Sequence, residues 1–525
     1  MSPSSGKLFG NNFLNSCIIF LFTLVLYLPS IKIPFINDEI SFIQRNTATS
    51  FSGFMNLFDK KNYDGYYYRP LGDFISGITT SIFHYNFADY RIFNIFLLIC
   101  AGILVYFLML NILKNKENRK LIALFSSLFF IAFPLNDYVI FWQTDLFDRL
   151  MIIFYLSGII SFLRNNCNVN TYSLLFFIFA LLSKEMAFSF PLIIILVSYY
   201  FSDQPQRLKV NIKKSLPYLI VMVCFILFRI IFFNNNVFEA KDAHSSHTII
   251  DAIKNYLLFF GLLAIPFFIR EVQNILFYHK ILFYISSLIL FFPVIYLLSK
   301  RLKKEPVLLF LLLFIIITIA PASRLFMRWY LYLPEVGFTG FISYFIFSFN
   351  FNKKIYPILI AASLLLIYSS AFLIKENEWI INSNKAISSL KIFFSANKSE
   401  IEKYNEANFL TIPAKVGDIP VFNLGFSQLF NYYGNFNRNI NVNIYSKSFL
   451  YNFDDSIFIR VLDKNISLTQ TKDNYFILFN DGKNINFESN NKFEISKESL
   501  IVKDPKSMNK ILYTFSKGRF IKIKD

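Results

Sequence analysis

Charge is scarce in this chain: Asp, Glu, Lys and Arg make up 16% of its 525 residues, against 55% hydrophobic and 19% aromatic. With a mean hydropathy of +0.46, a soluble fold of this length could not cover so much apolar surface. That excludes a soluble globular enzyme and indicates a polytopic membrane protein. Cysteine is scarcer still. Cys17, Cys100, Cys167 and Cys224 lie in or beside apolar runs with no C-x-x-C or histidine spacing, so neither a zinc site nor a disulfide framework is indicated. Acidic residues are outnumbered 34 to 52, which leaves a formal charge of +18. No basic stripe carries a base-reading motif, so nucleic acid is not the partner. The excess cations fall in short clusters between apolar runs, the pattern of cytoplasmic loops facing anionic lipid. Residues 1–30 lack an A-x-A cleavage pattern and feed into further apolar runs, so they predict an uncleaved first helix. No internal repeat is visible. Heavy use of Asn, Lys, Ile and Phe points to an AT-rich genome and a bacterial source.

What is present is a succession of apolar runs of roughly 15 to 22 residues, each long enough for a hydrocarbon core of about 30 Å. They predict eleven transmembrane helices, near 13–30, 91–112, 121–135, 146–163, 171–183, 187–201, 215–233, 281–298, 307–320, 331–349 and 355–373. The clusters "KNKENRK" (114–120), "QRLKVNIKK" (206–214), "KRLKK" (300–304) and "NKK" (352–354) are predicted to be cytoplasmic. One further run, 255–270, would break this parity. Gly261 and Pro266 are expected to interrupt its helix, so it is read as a re-entrant or interfacial segment on the outer side. The division is therefore a transmembrane domain over 1–375, with outer loops 31–90 and 234–280, and an extracytoplasmic domain over 376–525. In the latter, "SIFIRVLD" (456–463), "YFILFN" (475–480) and "FIKIKD" (520–525) read as strands and "NDGKN" (480–484) as a turn. A small α/β or mostly β fold is expected there.

This topology puts the ionisable residues at helix ends on one face of the membrane. They are Asp38, Glu39, Arg69, Asp137, Asp145, Asp148, Arg149, Lys184, Glu185, Arg270, Glu271, Arg324, Arg328 and Glu335. Such groups are expensive at a bilayer, so each is a functional candidate. Mixed acids and bases suit a substrate that offers a phosphate and a hydroxyl: arginines hold the phosphate, and a carboxylate takes the hydroxyl proton. His244 and His247 in "KDAHSSHTII" (241–250) have the spacing of a metal pair, but a solvated loop explains them better. No cofactor is expected.

Four segments occur in order: "YYYRPLGDF" (66–74), "DYRIFNIFLLICAGILVYFL" (89–108), "LLSKEMAFSFPLIIIL" (181–196) and "RWYLYLPEVGF" (328–338). This set resembles the GT-C superfamily of polyprenyl-phosphate-sugar-dependent glycosyltransferases, and most of all bacterial relatives of its transmembrane O-mannosyltransferase branch. "ENEWIINSNK" (376–385) is similar to the tryptophan-containing stretch that follows the last span in that branch. The resemblance covers roughly residues 20–390. Two features depart from it: the branch's tetratricopeptide repeats are absent, and "FPLNDYVIFWQTDLFDRL" (133–150) lacks its "HP" and regular E-x-V-x-W spacing, with Asp137 and Trp142 nearest those positions.

The resemblance implies inverting transfer of a sugar from a polyprenyl-phosphate carrier to a glycan, lipid or protein acceptor at the outer face of the inner membrane. It implies Asp38 as the general base with Glu39 beside it. Arg69, Lys184, Arg270, Arg324 and Arg328 are then the candidates for the donor phosphate, with Asp137, Asp148, Arg149 and Glu185 as further site residues. Two alternatives stay open. An O-antigen polymerase or ligase would centre on a large late outer loop with arginine and histidine pairs. A transporter or flippase would show repeats and polar groups near the midplane.

Overall fold

The computed structural model describes residues 11–47, 51–56, 68–202, 208–233, 248–264, 305–348, 355–462, 465–470, 474–480, 484–486, 493–496, 499–503 and 511–523. Its described residues are mostly helical up to Tyr404, and the chain forms two compact units. One comprises residues 1–30, 48–84 and 89–376; the other comprises 31–47, 85–88 and 377–525.

In the first unit, apolar composition and length decide which helices can cross a bilayer. Among the described residues five helices qualify, counting three that share residues with the second unit: Asn12–Lys32, Phe87–Ile112, Gln143–Arg164, Leu208–Phe232 and Ile355–Tyr404. A sixth arises if Arg119–Ile131 and Pro134–Phe141, bent by 44° where Pro134 removes a backbone donor, count as one span. These helices mark a membrane protein. Three other expected spans are shorter apolar helices, Thr171–Ser183, Glu185–Phe201 and Pro306–Ala322. The expected span 281–298 lies outside the described residues. Gly261 does not interrupt its segment: Ile249–Ala264 is one helix with Gly261 buried in it, where packing outweighs glycine's poor propensity of about 1 kcal/mol. Helices approach closely where side chains are small, as where Ser127 Oγ donates to the Gly102 carbonyl at 2.7 Å. Leu146–Arg164 and Thr171–Ser183 form a tight pair. Asn170 caps the second by accepting from Ser173 N at 2.8 Å, and it donates back to the Ser161 carbonyl at 3.0 Å.

The helix Ile355–Tyr404 has 50 residues and runs well past the apolar stretch that sequence marks as a span. Its second half is amphipathic. Trp379, Ser383, Ala386, Ile387, Leu390, Phe393, Phe394 and Ile401 are buried at intervals of three and four. In the second unit these residues pack on an aromatic core: Phe393 touches the rings of Phe409, Phe430, Tyr513 and Phe520.

The strands of that unit are β1 (Glu406–Val416), β2 (Ile419–Pro420), β3 (Asn441–Ile444), β4 (Ser446–Leu450), β5 (Ile457–Leu462) and β6 (Asn465–Gln470). They continue with β7 (Tyr475–Asn480), β8 (Asn484–Asn486), β9 (Phe493–Ile495), β10 (Ser499–Lys503), β11 (Leu512–Ser516) and β12 (Arg519–Lys522). One mixed sheet runs β12-β11-β1-β4-β7-β8, with β2 and β3 also on β1, and a second runs β5-β6-β10-β9. β1 is central and parallel to β3, β4 and β11. Its near-continuous burial matches a strand covered on both faces, and Pro413 sits where the β1–β4 register shifts, as a residue without an N–H requires. Residues 481–483 of the expected turn lie outside the described residues.

Candidate functional site

Two groups of ionisable residues stand out, one in each unit. In the first unit the motif "LLSKE" ends the helix Thr171–Ser183. Lys184 is extended (φ −161°, ψ 148°), so it and Glu185 point in opposite directions. Lys184, 3% exposed, pairs with Asp148, 1% exposed, from the start of Leu146–Arg164. Glu185 takes two arginines. Arg69 donates to its Oε2 from Nε at 3.0 Å and Nη2 at 2.8 Å, and Arg229 donates to Oε1 at 3.2 Å. Two guanidiniums therefore meet on one carboxylate. Burial alone would discourage charge on Arg69, but Glu185, then Tyr330 and Asp148, raise its hold on the proton above the ordinary arginine value. Its guanidinium also lies 5.2 Å from the centre of the Phe147 ring.

The late motif "RWYLYLPEVGF" closes on the same region. The Lys184 ammonium lies 4.7 Å from the Tyr330 ring centre. Arg328 Nη2 donates to Asp137 Oδ2 at 2.8 Å, with its guanidinium 3.9 Å from the Tyr138 ring centre. Trp329 stacks on Tyr138 at 5.6 Å and meets Trp142 edge-on at 5.8 Å. Arg149 is fully buried, and its guanidinium donates to the carbonyls of Val139, Trp142 and Gln143. It therefore holds the bent segment 137–145 rather than facing solvent. Asp145 lies within the field of Asp148, Lys184, Arg149 and Arg69, and its Oδ2 is buried without a hydrogen-bond partner among the described residues.

Arg69, Asp137, Asp148, Arg149, Lys184, Glu185 and Arg328 are thus brought together in one unit. Arg324 is exposed, beside this region in sequence. Arg270, Glu271, His244 and His247 lie outside the described residues. Sequence reading passed over Arg229, although an arginine inside the apolar run "FILFRIIFF" (225–233) is itself the signal that would have found it.

Asp38 and Glu39 belong to the second unit, with the C-terminal sheet. Glu39 is fully buried, and its Oε2 accepts from Ile36 N at 3.0 Å, so this carboxylate ties down the chain entering the helix Glu39–Arg45. Asp38 stands at the N-cap position of that helix and is half-buried, with Oδ1 accepting from Asn37 Nδ2 at 3.2 Å. Of the pair, Asp38 is the less buried. The chain matches no family model and is similar to no curated protein.

Proposed function

We propose that this protein is an inverting glycosyltransferase of the GT-C kind, which moves a sugar from a polyprenyl-phosphate carrier to a glycan, lipid or protein hydroxyl. The observation that carries this reading is the meeting of three separated motifs: Arg69 of "YYYRPL" bonds Glu185 of "LLSKE", while Lys184 lies against Tyr330 of "RWYLYLP". The arginines that meet at Glu185 suit a lipid phosphate, which arginine binds in bidentate fashion. In the proposed reaction the acceptor oxygen attacks the anomeric carbon and gives its proton to Asp38. The carbon–oxygen bond to the phosphate breaks on the opposite side of that carbon, and the lipid phosphate leaves with the bonding electron pair. Phosphate is already a good leaving group, so neither a protonating acid nor a metal is needed. On this reading the helices make eleven crossings of a bacterial inner membrane, with Asp38 and the C-terminal unit outside.

The test is transfer from synthetic polyprenyl-phosphate sugars by membranes carrying the wild-type protein, Asp38→Asn or Arg69→Ala. We expect turnover by the wild type, near-complete loss in Asp38→Asn, and a kcat/KM lower by about 10²-fold in Arg69→Ala. Equal turnover by wild type and Asp38→Asn would remove the base. Glycan chain extension or ligation in place of single-sugar transfer would favour the polymerase or ligase class, and substrate flux across vesicles without turnover a transporter.

A further inference from the structure

We infer that the C-terminal unit is a positioning device for Asp38, acting through Asn37, Leu424 and Gly425. This rests on the reading of Asp38 as the base, and it gives the sheet domain a role that the sequence leaves open. Asn37 adopts a left-handed backbone (φ 55°) and is 1% exposed. Its N–H donates to the Val421 carbonyl at 2.8 Å, and its side-chain Oδ1 accepts from Leu424 N at 2.6 Å. The residue before Asp38 is therefore bonded twice to the segment that follows β2.

On the other side, Gly425 (φ +62°) lies directly against the loop. A Cβ there would come within 2.7 Å of Asp38 Cα and 2.6 Å of Ser41 Oγ. Only glycine allows both the left-handed turn and this approach. The segment 423–425 is itself anchored, because the buried Lys447 of β4 donates to the Asn423 carbonyl. Tyr433 adds a hydroxyl bond to the Phe35 carbonyl at 3.0 Å. The backbone of Asp38 is thus fixed from the sheet outward, while the residue itself is half-buried. A base must be held to a fraction of an ångström, and a displacement of about 1 Å can cost about 10²-fold in rate.

The experiment uses the full chain in detergent or membranes, with Asn37→Gly and Gly425→Ala. Glycine at 37 keeps the left-handed backbone and removes the side chain, both the acceptor for Leu424 N and the donor to Asp38 Oδ1, whereas Gly425→Ala leaves that donor in place. We expect kcat for transfer from a synthetic polyprenyl-phosphate sugar to fall about 10²-fold in each variant, with KM for the donor changed by less than about twofold. Hydrogen exchange supplies a readout independent of turnover. Amides of residues 36–43 should exchange faster in each variant, with those of β1 and β4 unchanged. Unaltered kcat in both variants of an active protein overturns the inference, as does unaltered exchange over 36–43 or a rise that includes β1 and β4. If the wild type transfers no lipid-phosphate sugar, the proposed function fails, and faster exchange confined to 36–43 still establishes the clamp.

Discussion

Arg328 donates to Asp137 across 191 residues of sequence, at 2.8 Å, and the carboxylate it meets is 2% exposed. A buried ion pair contributes little net stability over an apolar pair, but losing one partner strands the other. We expect Arg328→Met alone to destabilise the first unit by about 3 to 5 kcal/mol, and Arg328→Met with Asp137→Asn to cost less than the two single changes together. Denaturation of the purified protein in detergent, read as a double-mutant cycle, checks this. Simple additivity would mean that the pair is not coupled.

Gly72, in the "YRPLGDF" motif, lies so close to Phe147 that a Cβ would overlap its ring. Phe147 is also the ring beneath the Arg69 guanidinium. Gly72→Ala should therefore displace the ring and, with it, Arg69, at a cost of about 1 to 3 kcal/mol from overpacking. Adding Phe147→Leu should restore part of that stability by removing the overlap. A Gly72→Ala protein that unfolds at the same denaturant concentration as wild type would contradict the packing described.

Glu39 acts on the chain before it. Glu39→Ala leaves the Ile36 N–H without its acceptor at 3.0 Å, and a buried donor stripped of its partner costs about 1 to 3 kcal/mol. Glu39→Gln keeps an oxygen in reach and should cost less. Hydrogen exchange over 36–43 reads the difference. Equal acceleration in the two variants would show that the charge matters and the hydrogen bond does not.

Lys447 is 3% exposed on β4, and burial pushes its ammonium down to about 8 from an ordinary value of 10.5. Between those two values the unfolded chain binds the proton and the folded chain does not, so stability rises with pH across that window. Below about pH 8 both states are protonated and the penalty of burying the charge is constant. We expect the second unit of wild type to gain stability from pH 8 to 10 relative to Lys447→Met, and the variant to be the more stable of the two at pH 7. Parallel pH curves for the two proteins would refute the buried charge.

Membrane character, a C-terminal sheet domain and several strands were legible in hydropathy and alternation alone. Of the two arginines on Glu185, Arg69 was picked out as a charge at the end of an apolar helix, whereas Arg229, inside an apolar run, was passed over. The limits were physical. Which carboxylate faces which cation depends on the extended backbone at Lys184, and no local pattern announces that one residue in advance. The amphipathic half of Ile355–Tyr404 was masked by its polar composition, although its buried positions keep helical spacing. The placement of Asp38 and Glu39 in the C-terminal unit rests on bonds such as that from Leu424 to Asn37, 387 residues apart, to which no local window is sensitive.

That separation also has a meaning in time. A ribosome adds about 5 to 20 residues per second, so the loop around Asp38 emerges roughly 20 to 80 seconds before the residues that hold it exist. For that interval Asn37 has no Leu424 and Phe35 has no Tyr433. A chain truncated after the last apolar helix would still carry Asp38 yet never acquire the contacts that fix it. Synthesis past Tyr433 is thus written into the geometry of the first loop.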